Sequence, residues 1–264
     1  KADRQGLARL EHPDDVTLDH AWRAARLMTG YVDEAAVLPP STAIPAVVRL
    51  PEVIGDLEDL DDVAAVARRW QASAGLRAQI GRGVDGVTTL DLREDGPHGL
   101  VAGTTGSGKS ELLQSLLCSL ALNNPPTRIN FLLVDYKGGA AFRECADLPH
   151  TVGYITDLTP ALVQRALTSI GAEIAAREHL LGRYGVKDLV QLERERPEAA
   201  PPSLLICVDE FAALTSEVPE FVDGMVNIAQ RGRSLGMHVL LATQRPAGVV
   251  TGGIRANADL RISL

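Results

Sequence analysis

The chain has 264 residues, 45% hydrophobic and 23% charged, and its 26 Lys and Arg stand against 34 Asp and Glu for a formal net charge of −8. No run approaches the roughly 20 consecutive apolar residues of a membrane-spanning helix, and the polar start KADRQGLARLEHPDD carries no leader pattern. The acidic balance counts against a domain that wraps nucleic acid over its whole surface, since phosphate neutralisation supplies most of that affinity, but it permits a motor that lines only a central pore with Arg and Lys.

Residues 1–58 are rich in Asp, Pro and Ala and broken at Pro39-Pro40, Pro45 and Pro51, which marks a lead-in region with no assigned role. Within it, Asp14 to about Gly30 reads as a helix and AIPAVVRL as an extended piece. Residues 61–73 (DDVAAVARRWQAS) combine an acidic start with helical spacing through Val63, Val66, Ala67 and Trp70. After Gly75 short apolar runs alternate with helical stretches. VTTLDL (87–92) and GLVAG (99–103) read as strands, and residues 111–122 as a helix stopped by Asn123-Asn124-Pro125. INFLLVD (129–135) is a strand, 158–184 a long helix with Pro160 in its first turn, SLLICVD (203–209) a strand, 218–235 a helix, and MHVLLAT (237–243) a strand. Strands of unbroken Val, Ile and Leu are buried on both faces, which gives a parallel sheet sandwiched by helices: a doubly wound α/β domain. Its span is 59–264, and ADLRISL stops in what reads as mid-strand. With no Met at its start, the chain reads as a fragment, truncated at its C-terminal end.

The decisive motif is GTTGSGKS (103–110), placed directly after a strand and before a helix. Glycines let the backbone curl so that successive N–H groups converge on a β-phosphate, and the following helix turns its positive end to the same oxygens. Gly103, Thr104, Thr105, Gly106, Ser107, Gly108, Lys109, Ser110 and Glu111 form the candidate nucleotide site. Lys109 would reach the β/γ oxygens, and the Ser110 hydroxyl would ligate Mg²⁺. LLICVDE (204–210) is the second motif. An apolar strand ending in Asp209 sets a carboxylate at the sheet's carboxyl edge for Mg²⁺, and Glu210 beside it could orient or deprotonate the attacking water. Alone, such an Asp-Glu pair could equally be the charged start of a helix. In HVLLATQRP (238–246), Thr243-Gln244 would bring an amide near the γ-phosphate, with a solvated loop as the alternative.

Arg231 and Arg233 end a helix, where cations suit the dipole, and either could also stabilise γ-phosphate charge across a subunit boundary. VDYKGGAAF (134–142) follows another strand end, where Asp135 and Lys137 could contact nucleotide or a neighbour, or simply build the turn. Cys145, Asp147 and His150 have no metal-site spacing, and His98 reads as a packing or positioning residue. The three cysteines suit a reducing cytosol, with Cys118 and Cys207 acting as small buried hydrophobes.

With GTTGSGKS, VDYKGGAAF, LPHTVGYITDL, LLICVDEF and QRGRSLGMHVLLATQRP in one order, the sequence resembles an FtsK/SpoIIIE-type ATPase domain over roughly residues 80–264. The Lys-Gly-Gly turn and the downstream Leu-Pro-His resemble the EccC/EssC ATPases of type VII secretion and related actinobacterial proteins. DNA-translocating members usually carry Asp-Pro-Lys where this chain has Asp135-Tyr136-Lys137. The resemblance implies a RecA-like P-loop NTPase core, Mg²⁺ and ATP as cofactors, and homo-oligomers, hexameric rings with ATP between subunits. It also implies a membrane-anchored part outside this piece, which places the domain at the cytoplasmic face of the cell membrane. Arg233 matches the arginine that such rings present in trans, and Gln244 the γ-phosphate-sensing position. Three functions follow: a motor for secreted proteins, a duplex-DNA translocase, and a nucleotide-binding switch without turnover. Intact Lys109, Asp209 and Glu210 argue against the switch.

Overall fold

The computed structural model describes residues 17, 23, 45, 47–55, 62–135, 141–156, 159–244 and 252–264. The chain divides into two units, Lys1–Ile44 and Pro45–Leu264. The helix expected over 14–30 lies outside the described residues, apart from Thr17 and Arg23, and all that follows concerns the second unit.

That unit is organised by a six-stranded sheet in the order β5-β4-β6-β7-β3-β8, with every pairing parallel. The strands are β3 (His98–Ala102), β4 (Ile129–Asp135), β5 (Thr151–Ile155), β6 (Ser203–Asp209), β7 (Met237–Thr243) and β8 (Leu260–Ser263). Central strands β6 and β7 send alternate side chains to two separate cores. Leu205, Cys207 and Leu240 meet one cluster, while Ile206, Val208, Met237, Val239 and Leu241 meet the other. This two-sided burial is what unbroken apolar runs require.

Helix α3 (Lys109–Asn123) covers the first face and is itself covered by a hairpin, β1 (Arg77–Gly83) with β2 (Gly86–Asp91). Squeezed between sheet and hairpin, α3 buries Leu113, Leu116, Leu117 and Leu120. Its outer rim is polar: the Gln79 N–H donates to Ser119 Oγ at 2.8 Å and Asn123 Nδ2 to Gln79 Oε1 at 2.6 Å. On the second face lie α4 (Pro160–Tyr184), α5 (Leu189–Glu195), α6 (Phe211–Glu217) and α7 (Pro219–Leu235); α8 (Gly252–Asn257) precedes β8. Buried Arg177 of α4 closes the end of α7 by donating from Nη1 to Leu235 O at 2.8 Å, and from Nη2 to Pro202 O at 2.7 Å.

In AIPAVVRL the expected extended backbone is seen at Arg49 (φ −95°, ψ 149°), and the expectation fails at Leu50. Residues 47–49 are irregular, but Leu50 opens helix α1 (Leu50–Ile54) with Pro51 in its first turn, where a fixed φ and a missing N–H help a helix start. Leu50 and Ile54 pack with Ala65 of α2 (Val63–Gln71) and Leu122 of α3, so this stretch shares the core of the larger unit. The β1 strand, β5 and the short helices α5 and α6 are further elements that the sequence reading did not contain.

Two histidines sit inside the sheet. Val239 N–H donates to His98 Nδ1 at 3.2 Å, so that ring is neutral, and His238 Nδ1 donates to Pro97 O at 3.1 Å. Burial pulls His98 down to about 4, with Asp259 opposing and Arg233 adding to the fall, and pulls His238 down to about 3. The unfolded chain takes up these two protons as pH drops below the ordinary histidine value, while the folded chain resists until near 4 and 3. Stability is therefore complete above pH 6.5 and lost on acidification, on the order of 2 kcal/mol per histidine by pH 5. Thermal melts from pH 7.5 to 4.5 should show the midpoint falling within that window, and a flat midpoint down to pH 5 would refute the assignment.

Candidate functional site

The site forms where β3, β7 and β6 end at the carboxyl edge of the sheet. Leaving β3, the Gly103 N–H donates to Thr243 O at 3.2 Å, which ties the start of the loop to the end of β7. A Cβ on Gly103 would meet Ser107 Oγ, so a larger residue there would have to displace that hydroxyl. Gly106 and Gly108 lie at φ +81° and +90°, where a side chain would be strained. Helix α3 then starts without a side-chain cap, and its first backbone bond runs from Leu112 N to Gly108 O at 2.9 Å. The N–H groups of Lys109, Ser110 and Glu111 donate to no carbonyl among the described residues. These are the donors that a phosphate takes up at a helix N-terminus.

Lys109 and Asp209 are only 7% and 8% exposed, and the ammonium donates to Asp209 Oδ1 in a buried ion pair. Strand β6 thus delivers its terminal carboxylate to the phosphate loop, across the intervening strand β7. Glu210 follows at φ +57°, the one non-glycine residue at positive φ among the described residues. For an L-residue this conformation costs about 1–2 kcal/mol. It turns the chain sharply from β6 into α6 and leaves the Glu210 carboxyl, 6% exposed, at the same edge. Gln244, immediately after β7, accepts from Thr105 Oγ1 at 3.2 Å. Five sequence-predicted residues are thereby brought together: Thr105, Lys109, Asp209, Glu210 and Gln244.

The donor set fits Mg·ATP. Ser107 Oγ is buried without a partner among the described residues, the N–H groups of Lys109, Ser110 and Glu111 are uncommitted there, and Ser110 adjoins the Lys109–Asp209 pair. No group of three or more acidic, His or Cys side chains among the described residues is placed to hold a metal. Mg²⁺ keeps one or two protein ligands and takes the rest from phosphate and water, and Ser110 and Asp209 would be those ligands.

Other candidates lie apart. Asp135, in register with Asp209, accepts from Ala141 N at 2.7 Å and so closes the loop that follows β4; Lys137 falls outside the described residues. The His150 ring bonds Asn124 O at 2.7 Å and stacks on Phe131, a packing role. His98 lies at the opposite end of β3 from the loop. Arg231 is paired with Glu178. Arg233 is exposed and makes no ion pair among the described residues. Both border a cavity of about 620 Å³ with Arg93, Lys187 and His238. The seven residues of β7 separate Arg233 from Gln244, and at about 3.3 Å per residue Arg233 stands roughly 20 Å from its own chain's site.

Residues 59–248 match the sequence pattern of the FtsK/SpoIIIE family. The chain belongs to that family. Type VII secretion system protein EssC of Staphylococcus aureus (strain Mu50) is 44% identical over 221 residues, covering 80% of this chain and 15% of that protein. ESX secretion system protein EccC of Geobacillus thermodenitrificans is 42% identical over 231 residues, 81% of this chain and 16% of that one. The chain thus spans about one sixth of the length of the curated relatives it matches. Among solved structures, the cytoplasmic domain of the Thermomonospora curvata type VII secretion ATPase EccC superposes with a TM-score of 0.74 at 37% identity, covering 83% of this chain and 27% of that one. The conjugation coupling protein TcpA shares the fold, with a TM-score of 0.65 at 21% identity, covering 92% and 69%.

In this FtsK/SpoIIIE domain, sequence reasoning set Lys109 and Asp209 at one nucleotide site, but it did not contain their direct ion pair, the left-handed turn at Glu210, or the bond from Thr105 to Gln244. Only the last had a possible signal, a hydroxyl residue at the loop tip and a carboxamide at the end of the neighbouring strand.

Proposed function

We propose that the domain hydrolyses Mg·ATP as one subunit of a ring motor that drives protein export of the type VII kind. The observation that carries the reading is the meeting of Lys109, from the phosphate loop, with Asp209, at the tip of β6, with Glu210 next to it. ATP offers Lys109 a second set of oxygens. As the ammonium turns to the β/γ phosphates, Asp209 is freed, and its carboxylate and the Ser110 hydroxyl would hold Mg²⁺. Mg²⁺, when bound, neutralises charge on the transferring phosphoryl oxygens. Glu210 takes a proton from water as the water oxygen bonds to the γ-phosphorus; the bond to the β–γ bridging oxygen breaks, leaving ADP and phosphate. The loop N–H groups and Lys109 hold the charge that develops on the leaving oxygen. Arg233 acts on a neighbour's nucleotide, since it stands too far from its own.

Protein cargo is supported by the 44% and 42% identities to EssC and EccC. A T. curvata EccC structure, ATPases 2 and 3 in complex with a signal sequence peptide, is 26% identical at a TM-score of 0.67 and covers 74% of this chain and 37% of that one. The net charge of −8 points the same way. No helix among the described residues is long and apolar enough to cross a membrane. The test is steady-state ATP turnover with duplex DNA or with signal-sequence peptides, each across a salt series. Peptide should raise turnover at physiological salt, and DNA should leave it unchanged even at low salt. DNA stimulation that falls steeply with salt, the mark of phosphate contacts, would transfer the assignment to a DNA pump.

A further inference from the structure

We infer that the Thr105 side chain is a positioning residue for Gln244, holding the carboxamide so that its NH₂ group faces the transferring phosphate. The inference rests on the ATPase reading above. Backbone amides of the phosphate loop do the gripping, so the loop's function leaves the side chain at position 105 without a task. The structure gives it one: Thr105 Oγ1 donates to Gln244 Oε1 at 3.2 Å, a bond between residues 139 apart in sequence.

Strand order explains why the bond has a consequence. β7 lies between β3, which feeds the phosphate loop, and β6, which ends at Asp209. Ala102 is in register with Thr243, and Val208 with Leu241. Gln244 therefore emerges between the loop and Glu210, on the strand that lies between the phosphate's holder and the water's base. Its backbone neighbour is already pinned, because Gly103 N–H donates to Thr243 O at 3.2 Å. What is left loose is the side chain, with three rotatable bonds. A hydroxyl that donates to the carboxamide oxygen fixes the last of them and turns the two N–H donors away from Thr105, toward the space between Lys109 and Glu210. A γ-phosphate oxygen there is an acceptor that a diphosphate lacks. An unheld carboxamide would present oxygen or nitrogen with similar ease, and its oxygen would oppose the phosphate.

Three consequences can be measured. Thr105→Val keeps the shape and removes the donor; it should leave ADP affinity within about threefold, lower kcat about tenfold and move KM little. Thr105→Ser, which restores the hydroxyl, should recover kcat to within about threefold of the parent. Because Thr105 acts through Gln244, Thr105→Val added to Gln244→Ala should cost no more than Gln244→Ala alone. A readout independent of turnover is the ratio of affinities for ATPγS and ADP, measured by displacement of a fluorescent nucleotide. Parent and Thr105→Ser should favour the triphosphate, and Thr105→Val and Gln244→Ala should share a reduced preference. Additive losses in the double variant, or an unchanged preference in Thr105→Val, would overturn the inference. A parent that binds both nucleotides with these preferences but never turns over would sink the hydrolysis reading and leave the positioning role standing.

Discussion

Glu210→Gln is expected to bind ATP as the parent does and to turn over about a thousandfold more slowly, within the range that a positioned general base contributes. The substitution is nearly isosteric and keeps a polar group at a residue 6% exposed and committed to a left-handed backbone, so the turn from β6 into α6 survives. What is lost is the basic carboxylate that takes the water's proton. Trapped ATP on the variant, seen in a rapid filtration assay with labelled nucleotide, would accompany the loss of phosphate release. Turnover within threefold of the parent would remove Glu210 from the chemistry. Lys109→Ala is the less clean probe. Deleting the ammonium strands the Asp209 carboxylate in a buried site, and breaking such a pair costs about 3–5 kcal/mol of folding stability in addition to any lost phosphate contact. Lys109→Ala should therefore lose ATP binding and melt at a lower temperature at once, whereas Glu210→Gln should do neither. The contrast between the two variants separates binding from chemistry.

The parts of this architecture that were legible in the sequence are those for which physics leaves few alternatives. A phosphate loop needs left-handed residues at two positions, and Gly106 and Gly108 supply them at φ +81° and +90°. Strands buried on both faces need unbroken apolar runs, and β4, β6 and β7 show them. Other elements carried weaker signals. β1, RAQIGRG, is a largely polar hairpin strand lying on α3, which adds only Ala78 and Ile80 to the core and bonds Ser119 through the Gln79 N–H. The Asp85-Gly86 pair at its turn was the available clue. Pro51 was read as a break, yet it starts a helix. Most opaque were contacts between residues far apart in the chain. Lys109 and Asp209 could be set at one site from their motifs, but the Thr105–Gln244 bond, hinted at only by a hydroxyl at the loop tip and a carboxamide after β7, exists because β7 pairs with β3, an order no local pattern encodes.

On the ring reading proposed above, Arg233 gives the second large effect, to be seen only between subunits. Its side chain leaves α7 just before β7 begins, roughly 20 Å from Gln244 at the other end of that strand. An arginine there cannot touch the phosphates bound by its own loop. It can reach those of a copy stacked head to tail, the arrangement that generates rings. Arg231, two residues earlier, is held by Glu178 on α4, so Arg233 is the cation left to project. Arg233→Ala should then lower kcat by about a thousandfold, the lower end of what trans arginines contribute, with ATP affinity little changed. Loss of fold is not a competing explanation, because the residue is exposed and its removal relieves a charge that disfavours the protonated form of His98. Equal mixtures decide the matter. Arg233→Ala subunits keep Lys109, Asp209 and Glu210 intact, and Glu210→Gln subunits keep Arg233. In randomly mixed rings about a quarter of the interfaces unite an intact site with an intact arginine, so activity should reappear from two nearly inactive parents. A mixture no more active than its components would place the arginine outside the reaction.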